Sequence, residues 1–377
     1  MNINKMSVFL ILILLSSLFY VNLDGAYAQE DLLSHVKYIT QEIGPRPAGS
    51  APENQTAQYL ASQFQKYGIR TQIQQFKYYS LNSKDIKTSQ NVIGTIEGVS
   101  DKEIIICADL DSPRDNLVGN YTQGANDDVT ALAILIGLAE KYQDKKPFYT
   151  IKLVAFGAGE DSFTFPLITP KRTSLTPDAY HQIVYLPYLV GARQYLLTHQ
   201  NSVNNALAVI SLEAVGIGTP CVVLRGGSSV SPLVGFLGIG TPCVVSRDYY
   251  ATNDPFLVNF LVWNGISRGI QTEKIDFMAS NRTIGSESAI SHVYLPFSIA
   301  EIPSTFITCM NNPNINSPIH DVENEMPGYL SVEDDYENLV QQNGDENSAE
   351  KHLKTILYLV NDSIDKLSVW NILNWQI

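Results

Sequence analysis

The chain has 377 residues, a formal net charge of −13 and 45% hydrophobic residues. A pI near 4.9 excludes the basic surface that nucleic acid selects. The apolar share is that of an ordinary globular core, and the length suits one large α/β domain or two small ones.

The first 28 residues read as a targeting segment. Lys5 precedes an apolar stretch over 8–21, and Ala26-Tyr27-Ala28 has the small-x-small form of a cleavage site. The stretch is shorter than a spanning helix needs. The expectation is a cleaved signal over 1–28 and a secreted or extracytoplasmic mature chain over 29–377, with an uncleaved anchor as the alternative. No second apolar run is long enough to cross a membrane.

Leu33, Val36, Ile39 and Ile43 recur at helical spacing, and the GPRPAGS stretch over 44–50 breaks that helix. Ser50 and Glu53 form a capping box for a second helix, whose apolar face carries Ala57, Leu60, Phe64 and Tyr67. Strands are predicted over 71–78, 91–96 and 104–107, a helix over 127–142 and a strand over 150–156. Then follow a helix over 189–199, a strand over 206–212, a helix over 255–266 and a strand over 304–309. The polar stretch 341–350 reads as a loop. A final amphipathic helix carries Leu353, Ile356, Val360, Ile364 and Leu367. This alternation predicts a single α/β domain, a mostly parallel mixed sheet with helices on both faces.

Two places interrupt the rhythm. Residues 161–186 form an insertion rich in Pro, Thr and aromatics, either irregular surface or a lid. In the second, over 216–248, the octapeptide GIGTPCVV occurs at 216–223 and again at 238–245, which predicts two similar strands from a local duplication. Four cysteines in an exported chain leave three full pairings open, Cys221 with Cys243 among the possible bonds; Cys107, in the central strand, reads as a buried thiol.

The chemistry concentrates in 104–139. An apolar strand ends in Asp109 and Asp111, and a Gly/Asn-rich turn leads to Asp127 and Asp128 at the start of an apolar helix. Helix-start acids suit the macrodipole, which accounts for Asp127 and Asp128 but not for Asp109-x-Asp111. Glu160 and Glu213 follow strands in the same way. If those strands are parallel neighbours, their carboxyl ends converge on one rim, where ligands of open α/β sheets bind. So many like charges require a cation or buried donors, which points to a metal site. Of the six histidines, His35, His199 and His352 read as helix-surface residues. His320 lies in a Pro/Asn-rich loop after a strand, where a ligand is conceivable.

With GPRPAGS, AQYLASQFQKYGIRTQIQQF, NVIGTIEG, GANDDVTALAILIGLA and LEAVG in view, the mature chain resembles the zinc exopeptidases typified by bacterial leucyl aminopeptidase and aminopeptidase Y. The resemblance implies two divalent ions, usually zinc, bridged by Asp127, with Asp109, Glu160, Glu213 and His320 as further ligands. Asp111 and Asp128 would support them from behind. It also implies peptides or small proteins as substrate or ligand, and a glutamate that takes a proton from the attacking water.

The chain departs from the family pattern at three of these positions. Asp109 stands where the family has histidine, Glu213 where it has aspartate, and Gly159 where it has the general base. A one-residue slip makes the acidic pair Glu160-Asp161 and restores a base in Asp161; both alignments stand at this level. Oxygen-rich ligand sets also shift preference towards Mn²⁺, Mg²⁺ or Ca²⁺. Three readings follow: an active metallo-aminopeptidase, a catalytically inactive member acting as a binding module, and a glutaminyl-cyclase-like enzyme with one zinc.

Overall fold

The computed structural model describes residues 31–80, 83–115, 119–161, 164–166, 175–186, 188–228, 249–252, 254–276, 294–311 and 333–374. The predicted signal, His320, Cys243 and the second GIGTPCVV copy lie outside the described residues. The described residues from Leu32 onward form one compact unit.

Helix α1 (Leu32–Lys37) runs into a wider turn, Tyr38–Ile43, and α2 spans Ala51–Lys66. Ser50 caps α2 as the spacing predicts, its hydroxyl accepting from the Glu53 N–H at 3.2 Å. Glu53 does not complete the box. Its side chain leaves the helix for other partners, described with the site. Strands β1 (Arg70–Ser80), β2 (Asp85–Ile96) and β3 (Ser100–Asp109) follow, then α3 (Thr130–Lys141) and β4 (Tyr149–Phe156). In β3 every residue from Ile104 to Ala108 is buried, because helices cover the sheet on both faces. For the same reason α3 is buried from Thr130 to Ala139, apolar all round rather than striped.

The predicted insertion contains a short strand β5 (Thr164–Pro166) and a helix α4 (Pro177–Tyr185), capped by the Thr176 hydroxyl. Then come α5 (Val190–Thr198), α6 (Gln200–Asn205), β6 (Ala206–Leu212), β7 (Thr219–Ser228) and β8 (Tyr249–Thr252). The chain continues with α7 (Pro255–Ser267), β9 (Glu273–Asp276), α8 (Leu295–Ile299), β10 (Ser304–Met310), α9 (Tyr336–Asn343) and α10 (Glu346–Asn374). The stretch read as a loop over 341–350 is therefore the junction of two helices. The break is confined to Gly344 and Asp345, and Gly344, with a φ of 98°, stops α9. His35 also departs from expectation. It is buried, with Nδ1 2.6 Å from the Tyr59 hydroxyl, because α2 packs over that side of α1.

The ten strands of the described residues join one mixed sheet in the order β5-β1-β2-β4-β3-β6-β10-β7-β8, with β9 alongside β7. Its centre, β4-β3-β6-β10, is parallel; the flanking pairs β1/β2, β2/β4 and β7/β10 are antiparallel. Register aligns the ends of this central run. Asp109 lies opposite Phe156, Cys107 opposite Ser211, and Ile307 opposite Leu212. Helices α1, α2, α3, α7 and α10 cover one face with Leu33, Leu60, Leu135, Leu261 and Ile356. On the other face α5 and α8 pack Tyr195 and Phe297 against Phe156. Cys107 is a buried thiol, as its place in the central strand predicts. Among the described residues, no helix is long and apolar enough to cross a membrane.

Candidate metal centre at the ends of the parallel strands

Three consecutive strands of the parallel run deliver an acid to the same rim. β3 ends in Asp109, the turn after β4 carries Glu160, and β6 is followed by Glu213. Two of these turns are sharp. Ala158 and Ala214 have φ values of 53° and 47°, a left-handed conformation that L-residues adopt only when the surroundings demand it. The demand comes from buried carboxylates. Glu53 Oε1 accepts the Ala158 N–H at 3.2 Å, and Asp128 Oδ1 accepts the Ala214 N–H at 2.9 Å.

Asp111 and Asp128 spend their oxygens on the backbone. The Gly159 and Glu160 N–H groups donate to Asp111 at 2.8 and 3.1 Å, which aims the turn carrying Glu160 at the rim. Asp128 accepts from Asp109 N–H at 3.3 Å as well as from Ala214, so one side chain ties β3 to β6. Asp127 is held from its backbone. Asp334 accepts the Asn126 and Asp127 N–H groups at 2.6 and 3.1 Å. The turn bearing these residues, Ala125–Val129, is not helical at Asp127 and Asp128, so both side chains leave the axis of α3.

Asp109 differs from its neighbours. It is 1% exposed, and neither carboxylate oxygen has a hydrogen-bond partner among the described residues. Asp127 Oδ2 is in the same condition. Single oxygens of Asp109, Asp128 and Glu213 lie within 4.8 Å of one another, a spacing that suits a shared cation. Burial holds the Asp109 carboxyl well above its ordinary range, aided by repulsion from Glu160, Glu213, Asp128 and Asp111. Asp127, Asp128 and half-buried Glu160 are raised for the same two reasons. Burial pushes Glu213 up to about 8 and Asp111 to about 7, the latter restrained by its backbone donors. Buried lone pairs without donors, inside a ring of mutually repelling carboxylates, fit a divalent cation, whose charge would reverse these shifts.

Three anchors escaped the sequence reading. Arg46 is fully buried beneath the rim; its guanidinium donates to the carbonyls of Leu110, Gly44 and Gln123. Burial lowers its pKa to about 10, against the attraction of Asp334, Asp111, Asp128 and Asp127. Glu53 accepts from Ser89 Oγ, Gln90 Nε2 and the Gly49 and Ala158 N–H groups, and burial beside Asp111 raises it to about 8. Asp334 lies more than 200 residues from the turn that it holds. Arg46 stands inside the quoted GPRPAGS stretch, where a cation between two prolines is a usable signal. Asp334 has none, since nothing near it in sequence marks it off.

Asp161 is buried beside the cluster but engaged elsewhere. Tyr78 OH donates to it at 2.9 Å, Ser80 Oγ at 3.3 Å, and Lys87 Nζ lies at 3.0 Å. Gly159 sits inside the cluster. A Cβ built on it would come within 1.8 Å of Asp109 Oδ1 and 2.6 Å of Asp109 Cγ.

A sheet of this order, with acids at the ends of its central parallel strands, defines an α/β protein with the fold of the zinc aminopeptidases and glutaminyl cyclases. Three solved structures carry that statement. The chain matches a Bacteroides thetaiotaomicron glutaminyl cyclase bound to N-acetylhistamine at TM-score 0.59 and 17% identity, covering 89% of this chain and 96% of that one. A leucine aminopeptidase precursor from the same organism gives the same values. BSAP, a zinc aminopeptidase from Bacillus subtilis, matches at TM-score 0.54 and 13% identity, covering 89% and 94%. Residues 91–237 match the model of Peptidase family M28, in agreement with the resemblance in the sequence. Over 143 residues the chain is 30% identical to the alkaline phosphatase isozyme conversion protein of Escherichia coli K12, 34% of this chain and 41% of that protein. It is 28% identical over 141 residues to the uncharacterized protein YfbL of the same strain. Both alignments span 41% of the relative's length.

Proposed function

We propose that this chain is a metal-dependent hydrolase that removes N-terminal residues from peptides or small proteins outside the cytoplasm. The observation that carries the reading is the buried ring of carboxylates at the parallel strand ends, in which an Asp127 oxygen lacks a hydrogen-bond partner among the described residues. Asp127, Glu160 and Glu213 would hold divalent ions, together with His320, which lies outside the described residues. Asp109 presents its oxygens to the same space. When bound, such ions polarise the scissile carbonyl and acidify a water. The residues of the chain do the rest. Asp111, Asp128, Asp334 and Glu53 keep the ligand-bearing turns in place, and Arg46 limits the repulsion among the acids beneath them.

The secreted location rests on the leader-like first 28 residues. A second reading, a binding member without turnover, is favoured by Gly159 at the base position and by the engagement of Asp161 with Tyr78, Ser80 and Lys87. Elemental analysis of the purified protein, beside assays on aminoacyl-nitroanilides and on N-terminal glutaminyl peptides, separates the readings. Bound divalent metal with nitroaniline release is the expected result. Metal without turnover would favour the binding module, cyclisation of glutaminyl peptides the cyclase, and absence of both metal and turnover would remove the hydrolase reading.

A further inference from the structure

Two departures of this sequence, an acid at 109 and a glycine at 159, meet at one point in the structure. The nearest heavy atoms to a Cβ at 159 are all from Asp109: Oδ1 at 1.8 Å, Cγ at 2.6 Å and Oδ2 at 3.2 Å. The glycine is not required by its backbone, since Gly159 is absent from the positions of left-handed φ. It is required by the carboxylate that fills the room of its missing side chain. Asp109 shares this buried space with Glu160, Glu213, Asp128 and Asp111, all of which repel it.

The acids differ in what they have left to offer. Asp111 and Asp128 each accept two backbone N–H groups, Asp161 is engaged by three side chains and Glu53 by four donors. A group that holds a water and receives its proton must keep a lone pair uncommitted within the site. Among the described residues Asp109 keeps both of its oxygens so, whereas Asp127 keeps one and Asp127 is already placed among the ligands. β3 thus brings a carboxylate to the place where the turn after β4 has no side chain.

We propose that Asp109 and Gly159 are a matched pair, and that Asp109, seated in the room left by Gly159, is the carboxylate that holds the attacking water. This rests on the hydrolase reading above. In the step assigned to it, the water oxygen bonds to the scissile carbonyl carbon while one water proton passes to Asp109. The C–N bond then breaks, the proton moves from Asp109 to the leaving nitrogen, and the carboxylate is restored.

The pairing is tested without reference to activity. Gly159→Ala is expected to lower Tm by about 3 °C or more, the consequence of overpacking a filled site. In an Asp109→Ala background the same exchange is expected to change Tm by less than about 1 °C, since the obstructing atoms are gone. Equal losses in both backgrounds would overturn the pairing. The role of the carboxylate is read from Asp109→Asn, which keeps the shape and removes the proton acceptor. Metal content equal to the wild type with nitroanilide turnover down about 10²-fold or more supports the assignment. Loss of metal in Asp109→Asn would make Asp109 a ligand and overturn it, as would unchanged turnover. Asp109→Ala/Gly159→Glu, which returns a carboxylate from the other side, is expected to exceed Asp109→Ala in turnover at least about tenfold. A wild-type protein with neither metal nor turnover would sink the hydrolase reading instead, while the Tm comparison would still decide the pairing.

Discussion

Asp161 shows how one residue changes meaning once its neighbours are known. In sequence it follows Glu160 and offers a carboxylate where Gly159 offers none. In the fold its oxygens answer Tyr78, Ser80 and Lys87, which pins β1 and β2 to the turn after β4. Asp161→Asn is expected to lower stability by about 1–3 kcal/mol, because a buried ion pair loses one partner and donors lose an acceptor. Chemical denaturation measures this; a turnover loss with unchanged stability would assign Asp161 to the reaction instead. Arg46 is the converse case, a residue of the GPRPAGS stretch whose role appears only once its buried partners are known. Arg46→Met is expected to cost about 3–5 kcal/mol in the same experiment, because it leaves buried carbonyls and carboxylates uncompensated. Arg46→Lys should recover part of this but not all, since an ammonium cannot match the fork that reaches Leu110 and Gln123.

Among the elements, α2 separates local from tertiary control. Ser50 caps its first turn within the helix itself, whereas Glu53, three residues on, crosses to Ser89, Gln90 and Ala158. Ser50→Ala should therefore cost about 1 kcal/mol, the ordinary worth of an N-cap. Glu53→Ala should cost more, about 2–4 kcal/mol, because several buried donors lose their acceptor together. Thermal denaturation of the two variants side by side checks the order, and equal losses would reduce Glu53 to the capping box expected from its spacing. The strands and helices of the core were legible because continuous burial in β3 and α3 and striped burial in α10 leave different residue patterns. The helix pair across 341–350 was not. Both helices are polar at their junction, and the apolar signal that marks a helix is weakest there.

For the whole molecule, the acid cluster ties stability to pH and metal. Glu53 and Glu213 are raised from 4.5 to about 8, and Asp111 from 3.8 to about 7, mainly by burial. Between the unfolded and folded values, the folded state of the metal-free protein binds more protons than the unfolded state. Its stability therefore falls as pH rises from about 4 to about 8. A divalent cation binds the ionised form, so its stabilising effect should grow over the same interval. Tm measured from pH 5 to 8.5, with chelator and with added Zn²⁺ or Mn²⁺, tests both statements. A metal-free Tm that rises with pH over this range would show that the cluster does not govern stability.

Hydrophobic period and strand-end acids were legible from the chain alone, and they were enough to place an α/β fold with Asp109, Glu160 and Glu213 on one rim. Those signals are local: burial of a strand or a helix writes itself into neighbouring residues. Tertiary structure alone added Glu53 and Asp334 to the supporting acids and decided which donors each acid holds. Asp111, Asp128, Glu53 and Asp334 hold backbone donors 19 to 208 residues away, and Asp109 takes the space beside Gly159. Hydrogen bonds and close contacts of that kind depend on distances in space, and the order of residues along a chain does not record them.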